Sequence, residues 1–519
     1  MKQPKGRAEK AFLGTTAGFA NEIISLICGL ILPRLILSTF GSTYNGLTSS
    51  ISQFISVIAL MKAGIGGVTR AALYKPLAEN DYVSISKIVN QTQGFLRKVA
   101  YIFLAFVLVF AVIYSKLFNA NFDFWFTFSL IVIIASSTFA QYYFGLPRQM
   151  LLMADQKQFI TSNVNSIFTI LNTVVAAILI VVFDVKSIHI VKLGSALVFI
   201  IQPIFYYIYT QKQYHIDTKL ISKEDALPQR WDALGHEVAN FVNNNTDIMV
   251  LTIFTDLKTV SVYSVYHYVV ASIRRVLVNF VTGFGAAFGN MNAKNQKKLM
   301  EKNFRIFELI LYSLVSIIYS TAFVMLTPFV RIYTSGVTDT DYNRLLFGII
   351  LTAASVMGCT KIPYETVTKA VGHYKQTRNA SFIEAGINIV VSVACVFKFG
   401  LIGVAIGTLV AMAYRSIRYA IYLSKNVIKR SIFLYIKHML IMLAIAVLTY
   451  LLSLVYLKET MNAFVWILYA VITVFIAMSL TLITDIIFYK DDLLALLPKV
   501  KSLVKKKKKK PNKKREKNG

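Results

Sequence analysis

Apolar runs of about 20 residues recur along the chain, and they constrain its fold more than any other feature. An apolar helix of about 20 residues crosses a bilayer, and it satisfies its own backbone hydrogen bonds where lipid offers none. Such runs lie, for example, at 126–145, 168–183, 439–457 and 464–488. Only 15% of the residues are charged, against about 25% in soluble proteins. The sequence predicts an all-α polytopic membrane protein.

Apolar windows and basic residues together predict about fourteen spans with both termini in the cytoplasm. Segments rich in Lys and Arg alternate with poor ones, as expected when basic loops stay cytoplasmic. The first span should be retained rather than cleaved, because it exceeds a signal-peptide core and carries Glu22 and Arg34. The predicted spans lie at about 11–38, 44–66, 95–115, 125–145, 160–183, 189–209, 234–255, 260–288, 304–327, 345–367, 381–398, 401–423, 436–457 and 464–488.

The net charge of +30 sits in short loops and in a Lys-rich tail. That placement indicates topology and anionic lipid headgroups rather than nucleic acid. Cys28, Cys359 and Cys395 lie in apolar segments without metal-ligand spacing, so they are expected to be core residues. Phosphate-binding loops, nucleophile elbows and HExxH motifs are absent from the sequence. We therefore expect no enzymatic activity, no cofactor and no metal site.

An internal duplication relates the two halves of the chain at a shift of about 215 residues. Thr161, Asn172, Gly194 and Tyr206 match Thr377, Asn388, Gly407 and Tyr419. Each copy has six spans, so the copies insert in the same orientation, with a pseudo-two-fold along the membrane normal. The predicted organisation is a basic N-terminus (1–10), an N-lobe (11–209), a cytoplasmic linker (210–233), a C-lobe (234–423), two added spans (436–488) and a cytoplasmic tail (489–519).

Span 7 carries a wide polar stripe within the membrane. At 100° per residue the stripe covers an arc of about 120°. A charge at bilayer depth costs about 2.5–3.5 kcal/mol, so it should face a cavity or a partner. Its members are His236, Glu237, Asn240, Asn243, Asn244 and Asp247.

Spans 8 and 1 carry further polar groups at membrane depth. His267 and Arg274 share a face of span 8, and Arg275 lies about 100° round from it. On span 1, the repeat partner of span 7, one stripe holds Asn21, Glu22, Ser25 and Gly29.

Two interpretations of these charges remain open. In the first, Asp247 and an arginine of span 8 form a structural ion pair. In the second, the arginines bind an anionic substrate in a hydrated cavity, and the acids serve as counter-ions or in ion coupling. The guanidinium fork suits phosphate because it donates two parallel hydrogen bonds. Glu308 and Glu384, near predicted cytoplasmic span ends, are expected to reach headgroups.

Three segments resemble the polysaccharide repeat-unit flippases of the multidrug/oligosaccharidyl-lipid/polysaccharide exporter superfamily. They are FGSTYNGL (40–47), GIGGVTRAALYKPL (64–77) and NNNTDIMVLTIFTDLKTVSVYSVYHYVV (243–270). The resemblance covers at least residues 15–430. It implies two six-helix lobes in a V around a central cavity, and transfer of an undecaprenyl-diphosphate-linked oligosaccharide from the inner to the outer leaflet.

The resemblance also implies roles for individual residues. Arg34, Arg274 and Arg275 would grip the diphosphate or acidic sugars, and Arg70 would lie where a headgroup enters. The polar stripes themselves, apart from the resemblance, make Asn240, Asn243, Asn244 and His267 further candidates for substrate binding. They also make Glu22, Glu237 and Asp247 candidates for counter-ions or ion coupling. The implied partners are membrane lipids, glycosyltransferases and a polymerase of the same pathway, at the bacterial cytoplasmic membrane.

Fourteen spans depart from the twelve of many repeat-unit flippases. Lipid II flippases have fourteen, so a lipid II or teichoic-type precursor remains an alternative substrate. A cation-coupled multidrug exporter of the same superfamily would want an acid-rich cavity, and Arg274 and Arg275 count against it. A membrane scaffold that transports nothing would not need aligned polar stripes on spans 1 and 7.

Overall fold

A computed structural model describes residues 7–118, 121–220, 245–281, 284–458 and 462–496, and it is helical with no strand in these ranges. Short turns separate most helices, as expected for a chain that crosses a membrane repeatedly. In chain order the helices are α1 (Arg7–Phe40), α2 (Ser42–Ile55), α3 (Ala59–Glu79), α4 (Tyr82–Leu117), α5 (Phe124–Ala140), α6 (Leu146–Ala154), α7 (Gln158–Ala177), α8 (Ile188–Tyr214), α9 (Asn245–Phe254), α10 (Leu257–Val281), α11 (Phe284–Ala293), α12 (Lys297–Tyr333), α13 (Leu345–Thr360), α14 (Ile362–Ala370), α15 (Tyr374–Phe399), α16 (Leu401–Asn426), α17 (Phe433–Ser453) and α18 (Ala463–Phe488).

Eleven helical segments of the described chain are long and apolar enough to cross a membrane. The protein is therefore a multi-pass membrane protein, as predicted. The count of about fourteen stays a prediction for spans 2, 7 and 8. A 3₁₀ turn at Ser56–Ile58 divides span 2 between α2 and α3. The helical part of span 7 that the structure describes is short, Asn245–Phe254. Span 8 corresponds to α10, which contains His267, Arg274 and Arg275 and is not among the eleven apolar helices.

The helices form two compact units. Unit 1 comprises residues 1–265, 334–341 and 396–401, and unit 2 comprises 266–333, 342–395 and 402–519. The division falls within α10, whereas the sequence places a lobe boundary in the linker at 210–233. The lobe boundaries, including those of the terminal segments, stay predictions.

In unit 2, the added helices α17 and α18 pack against α12. Polar groups tie α18 to α12 at two points along this interface. Trp466 Nε1 donates to the Met325 carbonyl at 3.2 Å, and Ser313 Oγ donates to Asp485 Oδ2 at 2.7 Å. Helix pairs in lipid depend on such packing and hydrogen bonds, because apolar contact alone gives no net advantage over lipid.

Backbone turns repeat at the spacing of the predicted duplication. Non-helical residues with positive φ recur 215, 216, 216 and 214 residues apart, in the pairs Asn80 and Asn295, Gln156 and Gly372, Asp184 and Gly400, and His215 and Lys429. Helices α6 and α14 both begin with a proline in their first turn. Left-handed residues end helices at defined positions, so their recurrence supports a duplicated six-helix unit.

Helix α2 approaches the start of α10 closely at Gly46, within unit 1. A Cβ at Gly46 would lie 1.7 Å from the Leu257 carbonyl oxygen. The neighbouring Asn45 Nδ2 donates to Ser261 Oγ at 2.7 Å. Small residues permit such close helix pairs, which hydrogen bonds then hold.

Gly46→Ala should therefore destabilise the protein by about 1–3 kcal/mol, the usual cost of overpacking. Thermal unfolding of the purified protein measures the change. The matched control is Gly18→Ala on α1, where an added Cβ meets nothing within 4 Å and alanine favours the helix by about 1 kcal/mol. Equal melting temperatures for the two variants would contradict the close approach.

Candidate functional site: a neutral polar cavity and the arginines

Unit 1 contains an open cavity of about 280 Å³, lined by helices α1, α6, α7 and α8 and by the turn between α5 and α6. Its polar lining consists of five amides and three hydroxyls, with no carboxylate, lysine, arginine or histidine among the lining residues. Polar surface inside an apolar bundle is costly unless it is hydrogen-bonded or wet. These side chains are Asn21, Gln141, Gln149, Asn165, Gln202, Ser25, Thr169 and Tyr206.

Hydrogen bonds between α7 and α8 organise one wall of the cavity. Asn165 Oδ1 accepts from Gln202 Nε2 at 2.8 Å and from the Tyr206 hydroxyl at 3.1 Å. On another side, Ser166 Oγ of α7 donates to Asn21 Oδ1 of α1 at 3.1 Å. These bonds fix the orientation of the amides before any ligand arrives.

A π-helical turn at Gln141–Gly145 joins α5 to α6 and shapes the opposite wall. Such turns are rare and occur often at functional sites. A Cβ at Gly145 would lie 3.0 Å from Pro203 Cβ of α8, so the glycine allows the two helices to meet there. The turn thereby places Gln141 and Gln149 on the same cavity as Asn165.

The polar stripe predicted on span 1 partly faces this cavity. Asn21 and Ser25 line it. Glu22 is half-buried but is not among the lining residues. Its role in ion coupling stays a prediction.

Two candidate arginines of unit 1 bond to backbone carbonyls outside this cavity. Arg34 Nη2 donates to the Ser335 carbonyl at 2.7 Å. Arg70 Nε donates to the carbonyl of Gly66, one turn earlier in its own helix, at 3.1 Å. Neither lines the cavity, and their roles in substrate binding stay predictions.

The arginines of α10 belong to unit 2. The Arg274 guanidinium lies beside α13, where a Cβ at Gly358 would be 3.4 Å from its Cζ. Arg274 is half-buried, whereas Arg275 is exposed and donates to Ser272 Oγ at 2.8 Å. His267 is half-buried on the same helix. Arg274 is thus half-buried, and its guanidinium packs against Gly358, which has no side chain to displace it.

Asp247 is buried and accepts a hydrogen bond from the Tyr263 hydroxyl at 2.6 Å, within unit 1. Its expected ion pair with an arginine of span 8 stays a prediction, because those arginines lie in unit 2. The other predicted stripe residues of span 7 lie outside the described residues: His236, Glu237, Asn240, Asn243 and Asn244.

Unit 2 holds buried charges at the positions that match the cavity in the repeat. Gly145, Gln149, Gln202 and Tyr206 correspond to Lys361, Glu365, Arg415 and Tyr419 at shifts of 216, 216, 213 and 213 residues. Lys361 Nζ and Arg415 Nε lie 3.3 and 3.7 Å from the Glu384 carboxylate. One copy thus presents neutral amides around an open cavity, and the other presents ion pairs.

Glu308 and Glu384 do not reach headgroups, so that expectation is wrong. Their exposed fractions are 1% and 2%. Cations on neighbouring segments pair with both carboxylates, which offsets the cost of burying them. Glu308 binds Arg430 through both oxygens, each at 2.6 Å.

The amides of the cavity were missed as candidate residues. Gln141, Gln149, Asn165 and Gln202 each lie within or beside a predicted span. The signal that could have found them is the presence of polar residues at membrane depth. They lie on different spans, and sequence periodicity does not tell which spans adjoin.

Comparison with known structures identifies the fold. No protein-family model and no curated protein matches the chain. The lipid II flippase MurJ in an inward closed conformation aligns with a TM-score of 0.68 and 18% identity, over 92% of this chain and 99% of that one. An inward-facing multidrug resistance MATE transporter of the MOP superfamily aligns at 0.63 and 12%, over 80% and 98%.

A third solved structure, the Vibrio cholerae MATE transporter VcmN in its bent form, aligns at a TM-score of 0.52 and 14% identity, over 81% of this chain and 96% of that one. The chain therefore has the fold shared by these MurJ and MATE transporter structures. This confirms the fold expected from the resemblance.

Proposed function

We propose that the protein translocates an undecaprenyl-diphosphate-linked oligosaccharide across the bacterial cytoplasmic membrane, for surface polysaccharide synthesis, with both of its own termini in the cytoplasm. The observation that carries the proposal is the cavity of unit 1, whose polar lining is neutral. Amides and hydroxyls both donate and accept hydrogen bonds, as sugar hydroxyls require. The cavity thus supports binding of the glycan, and the arginines of α10 would bind the diphosphate.

The composition of the cavity weighs against a cation-coupled drug exporter. A cationic drug in a low-dielectric site needs a carboxylate partner, and the lining residues include none. Glu22, Glu237 and Asp247 remain our candidates for ion coupling, outside that lining. Glycosyltransferases and the polymerase of the same pathway are the partners that this function requires.

A lipid II or teichoic-type precursor is the second candidate substrate. The observation that favours it is the extent of the MurJ alignment, which covers 92% of the chain, against 80% for the MATE transporter. Both candidates share the undecaprenyl diphosphate. They differ in the glycan, so the glycan is what the experiment must vary.

Reconstitution of the protein in proteoliposomes tests the proposal. Fluorescent undecaprenyl-diphosphate oligosaccharide, or fluorescent lipid II, is placed in one leaflet, and its appearance in the other is followed with a membrane-impermeant quencher. We expect faster transfer of the oligosaccharide lipid than of lipid II. Faster transfer of lipid II would favour the second candidate, and no acceleration of either over protein-free vesicles would refute both.

Gln202→Leu should slow oligosaccharide transfer about tenfold in this assay. The change removes an amide from the cavity wall at similar volume, and one lost hydrogen bond of about 1–1.5 kcal/mol corresponds to about tenfold. Gln213→Leu is the matched control, because Gln213 lies on the same helix and is exposed. Equal rates for the two variants would exclude the cavity as the glycan site.

A further inference from the structure

A second charged cavity, of about 170 Å³, lies in unit 2 where α12, α17 and α18 meet. We call it the α17–α18 cavity. A single water needs only about 10–15 Å³ of such space, so this one accommodates a larger polar group. The cations of its lining are Arg305, Arg430, Lys437 and Lys490, and its carboxylates are Glu308, Asp491 and Asp492.

Two of the four cations form ion pairs with carboxylates. Arg430 binds both oxygens of Glu308. Arg305 Nη2 lies 3.0 Å from Asp492 Oδ2. In each pair the positive and the negative charge offset one another, so neither pair adds net charge to the cavity.

The other two cations, Lys437 and Lys490, are not paired with a carboxylate in the described part of the chain. Lys437 Nζ lies 4.8 Å from the Tyr489 ring centroid and 3.3 Å from the Phe488 carbonyl oxygen. Its ammonium is thereby held at the cavity although no anion neutralises it. Asp491 is exposed, and the other two lining carboxylates, Asp492 and Glu308, are paired with Arg305 and Arg430. Counting Asp491 against the two lysines, the lining still carries an excess of one positive charge.

The surroundings of the cavity indicate a lipid. Apolar side chains next to the lining lysines are exposed, among them Phe433 at 74% and Ile487 at 64%. In a membrane such side chains contact acyl chains. The predicted topology places this end of α12, α17 and α18 at the cytoplasmic surface, where basic pockets between helices bind anionic headgroups.

We propose that the α17–α18 cavity binds the phosphate group of a phospholipid headgroup, with Lys437 and Lys490 as its cationic partners. The acyl chains then lie along the exposed apolar faces of α17 and α18. The bound lipid then stabilises the packing of the two added helices against α12. This inference does not depend on which substrate the protein transports.

The test compares the Lys437→Gln/Lys490→Gln double variant with Lys425→Gln/Lys429→Gln, which removes two exposed lysines outside the cavity. Thermal unfolding in detergent is recorded with phosphatidylglycerol, with phosphatidylcholine and with inorganic phosphate. We expect phosphatidylglycerol to raise the melting temperature of the wild type and of the control variant alike. The cavity variant should lose at least half of that rise, measured from its own melting temperature in detergent alone.

Each other result has a defined meaning. A full lipid-dependent rise in the cavity variant would overturn the site, because the Lys-rich tail common to all variants would then account for the effect. A rise produced equally by inorganic phosphate would overturn the lipid as the occupant. Equal effects of phosphatidylcholine and phosphatidylglycerol, lost only in the cavity variant, would support recognition of the phosphodiester itself.

Discussion

Arg274→Ala should lower export of the lipid-linked glycan by about a hundredfold or more. If the guanidinium binds the diphosphate through two charge-assisted hydrogen bonds, their loss costs about 1.5–3 kcal/mol each, and 1.4 kcal/mol corresponds to tenfold. Arg274→Lys should recover only part of the activity, because an ammonium keeps the charge without the two-pronged geometry. Arg274 is half-buried beside Gly358, so few other groups can replace it there.

Surface glycan on cells, together with lipid-linked repeat units retained inside, measures this effect at equal protein abundance. Arg331→Ala is the matched control, because Arg331 is exposed at the far end of α12. Arg275→Ala, on the exposed side of α10, tests whether the second arginine shares the role. Normal export from both Arg274→Ala and Arg275→Ala would rule out binding of the diphosphate by these arginines.

The helical fold was predictable from the sequence because lipid leaves few alternatives. A backbone without water must satisfy its hydrogen bonds internally, so each apolar run had to form a helix. The repeat of about 215 residues was visible in weak matches, and turn residues such as Asn80 and Asn295 recur at that spacing. The π-helical turn at Gln141–Gly145 had no comparable signal, since it inserts one residue without a change in composition.

The candidate site was predictable only in part. Periodicity correctly put Asn21 and Ser25 on one face of span 1, and both line the cavity. It did not predict that Asn165 and Gln202 lie on the same cavity. Helix periodicity indicates which side of each span is polar, but it does not indicate which spans pack together. The charges on α10 were visible because arginine at membrane depth is rare, whereas a single amide in a span attracts little notice.

The buried ion pairs were likewise not predictable from the sequence alone. The position of Glu308 near a span end favoured a headgroup contact, since an unpaired acid there would seek water. Its partner Arg430 lies 122 residues later, in the turn before α17. Only the packing of α17 beside α12 brings the two together, and that packing was not encoded in any local pattern.

Glu308→Ala should lower the free energy of unfolding by about 3–5 kcal/mol, the usual cost of leaving a buried charge without its partner. Arg430 would lose both hydrogen bonds to the carboxylate, in a setting where Glu308 is 1% exposed. The Tyr364 hydroxyl would lose its acceptor too. Thermal or denaturant unfolding in detergent measures the loss.

Two comparisons separate the ion pair from other effects of the substitution. Glu301→Ala removes an exposed acid from the same helix, and it should change stability by less than about 0.5 kcal/mol. Glu308→Leu/Arg430→Met replaces the pair with apolar groups and should recover most of the stability, because such replacements are often neutral or stabilising. A double variant as unstable as Glu308→Ala would show that Glu308 acts through packing rather than through its charge.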